Sequence, residues 1–201
     1  MSTWIVVIVV VVVLAGVGLW YLSAFNAFVR LRNLVAESWK QVDVELQRRH
    51  DLVPNLVAAV RQAASFEQGV LESVTRARAD AQRLTARDDA DVVAVAAAEE
   101  SLSTSLTRME ALAEQYPQVQ AVRGYDALRR ELADTEDRIA AARRLYNANV
   151  RALNTRIESM PSGWVAAAHH VGRAEYFEPT SPAVRDVPDV GDLLRRDRPE
   201  A

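Results

Sequence analysis

The chain has 201 residues and no cysteine, which excludes disulfides, thiol nucleophiles and thiolate metal sites. Its net charge of -3 argues against a nucleic-acid binder, for which a concentrated basic face is expected. Seven glycines and seven prolines are few for this length, and beyond the first segment Ala, Arg, Leu and Glu are abundant, a composition that favours helix.

The first element is an apolar run from Trp4 to Leu22, with no charged residue before Arg30. About 20 apolar residues rising 1.5 Å each span the roughly 30 Å hydrocarbon core of a bilayer. Trp4 at one end and Trp20 with Tyr21 at the other suit the headgroup layers. A cleaved signal peptide is the competing reading. It lacks support here, because the run has no basic n-region, exceeds the usual h-region and is not followed by a clean small-x-small site. The expectation is a transmembrane anchor over residues 4–23 after a short segment 1–3. Arg30, Arg32 and Lys40 follow the run and only the α-amino group precedes it, so the positive-inside rule predicts a cytoplasmic domain.

From Phe25 the apolar positions Phe28, Leu31, Val35, Trp39, Val42 and Leu46 recur at the helical period. Pro54 interrupts that pattern. Proline removes a backbone donor and is tolerated best in a first turn, so the sequence predicts a kink or restart with Asp51 as N-cap. Asn55 would then bond backbone groups freed by the kink. A second helix is predicted from about Glu67 to Arg87, and a polar turn over residues 86–91 follows, with Asp89 or Asp91 as the next cap. The third helix carries Val95, Leu102, Leu106, Met109 and Leu112 and stops at Tyr116-Pro117. The fourth has Tyr125, Leu132, Ile139, Tyr146, Leu153 and Met160 at intervals of seven, a seam that buries against antiparallel neighbours. It should end near Pro161. The rest, 166–201, reads as an extended, partly disordered tail. These elements make an all-α fold: a transmembrane helix followed by an antiparallel four-helix bundle over 25–165.

Catalytic patterns are absent from the sequence. There is no Gly-rich phosphate loop, no His-Glu-x-x-His helix and no Gly-x-Ser-x-Gly turn. His169 and His170 are adjacent and cannot share a helical face, and His50 reads as part of the predicted kink. No metal or other cofactor is expected. The polar residues worth weighing surround Pro54: Asp43, Glu45, Arg48, Arg49, Asp51 and Asn55. They are either a solvated face with a capped restart or a recognition surface. Adjacent arginines point about 100° apart on a helix, so one, Arg49, is expected to bind a carboxylate such as one on the fourth helix, leaving Arg48 free for a partner or lipid phosphate.

Residues 48–57, Arg-Arg-His-Asp-Leu-Val-Pro-Asn-Leu-Val, closely resemble the signature of the LemA family. The segments Phe25–Asn33, Trp39–Leu46, Ala77-Arg78-Ala79, Thr135-Glu136, Tyr146-Asn147, Tyr176-Phe177 and Val187-Pro188 fall in family order. Departures are Ala63 and Phe66, where relatives carry an aromatic and a histidine, together with Leu153-Asn154 and Met160-Pro161. The resemblance implies a single-pass bacterial membrane protein with a helical bundle and no defined activity. It makes Arg48, Arg49, Asp51, Pro54 and Asn55 the candidate signature and interaction residues.

Two function classes follow. The first is a non-enzymatic, membrane-tethered interaction or scaffold protein. The second is a membrane-tethered enzyme or an accessory subunit of a membrane peptidase, which in a metal-bundle form would need inward Glu-x-x-His pairs; no histidine lies between residues 51 and 168. The expected partners are the lipid bilayer, an unidentified protein and, as an alternative, a second copy of the chain.

Overall fold

The computed structural model describes residues 2–62, 67–87 and 91–178. Within them the chain is helical and has no strand: α1 (Ser2–Arg61), α2 (Gln68–Thr85), α3 (Val92–Ala113), the short α4 (Pro117–Gln120), α5 (Tyr125–Glu158) and α6 (Ser162–Ala168). At 1.5 Å per residue, the 60 residues of α1 extend about 90 Å. Residues 3–23 of α1 are exposed, and burial begins at Ala24. The exposed apolar part is long and apolar enough to cross a membrane. One rod therefore joins the candidate span to the bundle, since no Gly or Pro separates Leu22 from Pro54.

The predicted restart at Asp51 does not occur. α1 runs through Pro54, and Asp51 lies inside it, exposed, accepting a hydrogen bond from Gln47 Nε2 at 2.8 Å. Pro54 has no N–H for the carbonyl four residues earlier, that of His50. Arg78 of α2 supplies the missing donor, its Nε lying 2.6 Å from the His50 oxygen. A tertiary hydrogen bond thus takes the place of the helical one, and the helix does not need to break. Asn55 is exposed and plays no part in this repair. Removing the Arg78 guanidinium should cost about 1–3 kcal/mol, the penalty for orphaning a buried acceptor. In a Pro54→Ala background, where the helix supplies its own donor, that cost should shrink. Denaturant melts of the four-member cycle measure the coupling, and additive losses would contradict it.

α1 packs along α5, α2 packs against α3, and α2 also meets α1. The core has three parts in sequence along α1. Ala24 and Phe28 join Leu153, Val165 and Ala166 at the end nearest the apolar run. Val42 and Leu46 meet Val95, Ile139, Tyr146 and Phe177 in the middle. Val53, Leu56 and Val60 meet Val74, Leu106 and Leu132 at the far end. Asp91 caps α3 by accepting from the backbone N–H groups of Val93 and Ala94 at 2.9 and 3.3 Å; Asp89, the alternative cap, and the substituted positions Ala63 and Phe66 lie outside the described residues. α3 ends at Ala113, a few residues before the expected stop at Tyr116-Pro117, and Pro117 instead opens α4 at its first position.

The seven-residue seam of α5 is buried at Tyr125, Leu132, Ile139, Tyr146 and Leu153. Met160, assigned to the same seam, is 63% exposed, because α5 ends at Glu158. Residues 166–178, expected to belong to a loose tail, are packed on the bundle instead. Residues 162–168 form α6, and 171–178 lie as an extended strap along α5. Two asparagines seven apart hold the strap by acting as surrogate strand partners. Asn154 accepts from Ala174 N at 3.0 Å and donates to its carbonyl at 2.9 Å. Asn147 does the same for Phe177, at 2.9 and 3.2 Å. Tyr146 Oη donates to the Glu175 carbonyl at 2.9 Å, and burial with the nearby Glu175 charge pushes its pKa up to about 12. Phe177 fills the core edge-on to Trp39. Residues 179–201, including Val187-Pro188, lie outside the described part.

Asn147→Ala should free the strap, since it orphans both backbone groups of Phe177 at a cost of about 1–3 kcal/mol. Limited proteolysis of folded protein reads this directly. New cleavage near residues 173–178 is expected, and an unchanged pattern would contradict the clamp.

Candidate functional site

The signature 48–55 sits on one continuous helix, and helical geometry divides it into two faces. Arg49 and His50 point inward. Arg48, Asp51 and Asn55, spaced by three and four residues, share an outer face, and Pro54 is exposed beside them.

The inner half is a buried ionic network. Arg49, 2% exposed, donates through Nη2 to Glu99 of α3. Its Nη1 reaches Glu136 of α5 at 2.7 Å and the Ser103 hydroxyl of α3 at 2.8 Å. His50 Nε2 lies 2.8 Å from the other Glu99 oxygen. The expected carboxylate on the fourth long helix is therefore Glu136, and a second one on α3 shares the guanidinium. One arginine ties three helices together with the planar, multiply donating geometry that suits bidentate carboxylate recognition.

Burial opposes charge at both ends of this network, and pairing outweighs it. Desolvation pulls the Arg49 pKa down, but the Glu99 and Glu136 charges hold it above its usual value. Desolvation pushes the Glu99 carboxyl up, but the His50 hydrogen bond and the Arg49 charge hold it below the usual carboxylate range. A depressed folded pKa contributes stability that is complete above the unfolded value near 4.5 and is lost as pH falls through the folded value. Wild-type stability should therefore fall on acidification in this window. Glu99→Gln, weaker at neutral pH, should show a smaller further loss, and parallel acid limbs in chemical denaturation would contradict the assignment.

Beside the network lies a cavity of about 80 Å³, bordered by Arg49, Glu99, Ser103, Glu136, Arg143 and Phe177. Among the described residues no group of three His, Asp or Glu is placed to hold a metal ion. The arrangement can lock helix register.

The outer half is different. Arg48 is 47% exposed, and among the described residues its one close carboxylate is Glu45 at 3.8 Å, a pair that contributes little in water. Asp51 engages Gln47, and Asn55 faces solvent.

Glu99 carries a signal in the sequence itself. Glu99 interrupts the apolar stripe of α3 between Val95 and Leu102, at an inward position. A carboxylate there needs a buried cation, and Arg49 is that cation.

The family model for the LemA family matches residues 38–191. Among curated proteins the chain is similar to Magnetosome protein MamQ of Magnetospirillum gryphiswaldense, at 27% identity over 78% of this chain and 65% of that protein. It is equally similar to Magnetosome protein MamQ 2 and MamQ 1 of Paramagnetospirillum magneticum, again at 27% identity over 78% and 65%. The chain thus spans about 65% of the length of these relatives.

Proposed function

Because this chain belongs to the LemA family, we propose that its membrane-associated bundle is a non-enzymatic interaction or scaffold module that meets a protein partner through the outer face of the signature. The observation that carries this reading is the division of one helical signature into an inward lock and an outward polar stripe. Arg49 and His50 are committed to Glu99 and Glu136, whereas Arg48, Asp51 and Asn55 present a charged and amide-bearing surface on a rod held by three helices. A rigid stripe binds with little ordering cost, which suits a scaffold. The relatives' names assign them to the magnetosome; for this chain they support the coarser reading, a LemA-type protein associated with a membrane.

A photo-crosslinking residue at Asn55 should capture a discrete partner in cells, and one at Val93, exposed on α3, should not. Equal capture at both positions, or none at either, would overturn the assignment of this face. We place the domain in the cytoplasm, on the strength of Arg30, Arg32 and Lys40 following the apolar run. Alkaline phosphatase fused after Ala201 should be inactive, and activity would reverse the orientation while leaving the anchor intact.

A further inference from the structure

α6 sits beside the point where α1 enters the apolar run. Val165 and Ala166 pack against Ala24 and Phe28. His169, just past α6, lies 2.8 Å from Tyr21 Oη through its Nε2, and its ring is 4.5 Å from that of Phe25. This end of the bundle therefore stands level with residues 21–28, within about two turns of Leu22. The polar layer of a bilayer extends about 5–7 Å beyond the hydrocarbon on each side. The same end exposes two large side chains that the bundle does not need: Trp164 at 68% and Met160 at 63%.

We propose that Trp164 and Met160 are a second membrane contact, a foot that inserts into the headgroup layer of the bilayer holding the apolar run. The proposal rests on reading that run as an anchor. An indole is amphipathic and prefers this layer, with its N–H among headgroups and its ring toward the acyl boundary, as Trp20 and Tyr21 on the neighbouring helix surface also do. Val165, the next residue along α6, packs against Ala24 and Phe28, so the exposed indole stands at the end of the bundle nearest the apolar run. Two contacts on different helices fix the tilt of the bundle on the membrane, which a single helix leaves open. The lateral presentation of Arg48, Asp51 and Asn55 is then set relative to the membrane plane.

The absence of cysteine permits single nitroxide labels on the full chain. The labelled proteins are Val11→Cys, Ala167→Cys, Met160→Cys and Val44→Cys, reconstituted in phosphatidylcholine–phosphatidylglycerol vesicles. Val44 is a matched control, 64% exposed but about 33 Å along α1 from Leu22. Collision rates with lipid-soluble oxygen and with a water-soluble nickel complex give the depth of each label. The oxygen-to-nickel ratio at 160 and 167 should lie between the values at 11 and 44 and several-fold above that at 44. Trp164→Glu should move the 160 label several-fold toward the aqueous value with circular dichroism unchanged. A lipid-exposed label at 11 with aqueous labels at 160 and 167 would overturn the foot and leave the anchor standing. Aqueous labels at all sites would overturn both. If Ala167→Cys loses helix content, the label at 160 decides the matter.

Discussion

Arg49→Met should be the most damaging single change in the signature, lowering unfolding free energy by about 3–5 kcal/mol, the cost of breaking a buried pair from one side. The reason is what remains behind. Glu99 is 3% exposed, and without the guanidinium His50 alone among the described residues offers it a hydrogen bond. Glu136 is partly exposed and can turn to water, so Glu99 carries most of the penalty. Removing both ends tells the two contributions apart. Arg49→Met with Glu99→Leu replaces an ion pair by apolar bulk of similar size and should recover much of the loss, because desolvation largely cancels the attraction within such pairs. Equilibrium denaturation of the two single variants and the double variant is the measurement. A loss below about 1 kcal/mol for Arg49→Met would mean that the network is not a structural lock.

Truncation of the seam should come next in size. Leu132→Ala and Ile139→Ala each remove a buried side chain from α5, at the far and middle parts of the core respectively. Each should cost about 2–5 kcal/mol, the range for large-to-small changes that leave a cavity. Arg130→Ala, exposed two residues from Leu132, should stay within about 0.5 kcal/mol. Similar midpoints for all three would remove the seam from the core.

The contrast between what was legible in the chain and what was not has a physical basis. The apolar run, the period of α1 and the seam of α5 are repeated patterns, and each repeat states the same face again. The class of fold and the α5 core positions followed from them. Pro54 misled because its cost was judged locally. The His50 carbonyl it orphans is satisfied by Arg78 of another helix, and no local rule reports a donor 28 residues away. Met160 misled for the opposite reason, since the interval of seven continued past the end of the helix. The strap over 171–178 was hidden because its bonds run from Asn147 and Asn154 to backbone groups, which any sequence offers. At the signature, the separation of Arg48 from Arg49 by helical angle was readable, and Glu136 was placed on the expected helix. Glu99 was readable in principle as the one carboxylate in the α3 stripe, but its partner was identifiable only when the helices were brought together.

Adjacent arginines of one signature are proposed to do different work, Arg49 holding the bundle and Arg48 facing a partner. Arg48→Gln and Arg49→Gln, made in the full chain and scored both for unfolding free energy and for capture by the crosslinker at Asn55, test it most directly. Arg49→Gln should lose several-fold more stability than Arg48→Gln, whereas Arg48→Gln should lose capture at unchanged stability. Loss of stability in both variants, with capture falling only in proportion, would contradict it and make the whole signature a packing element.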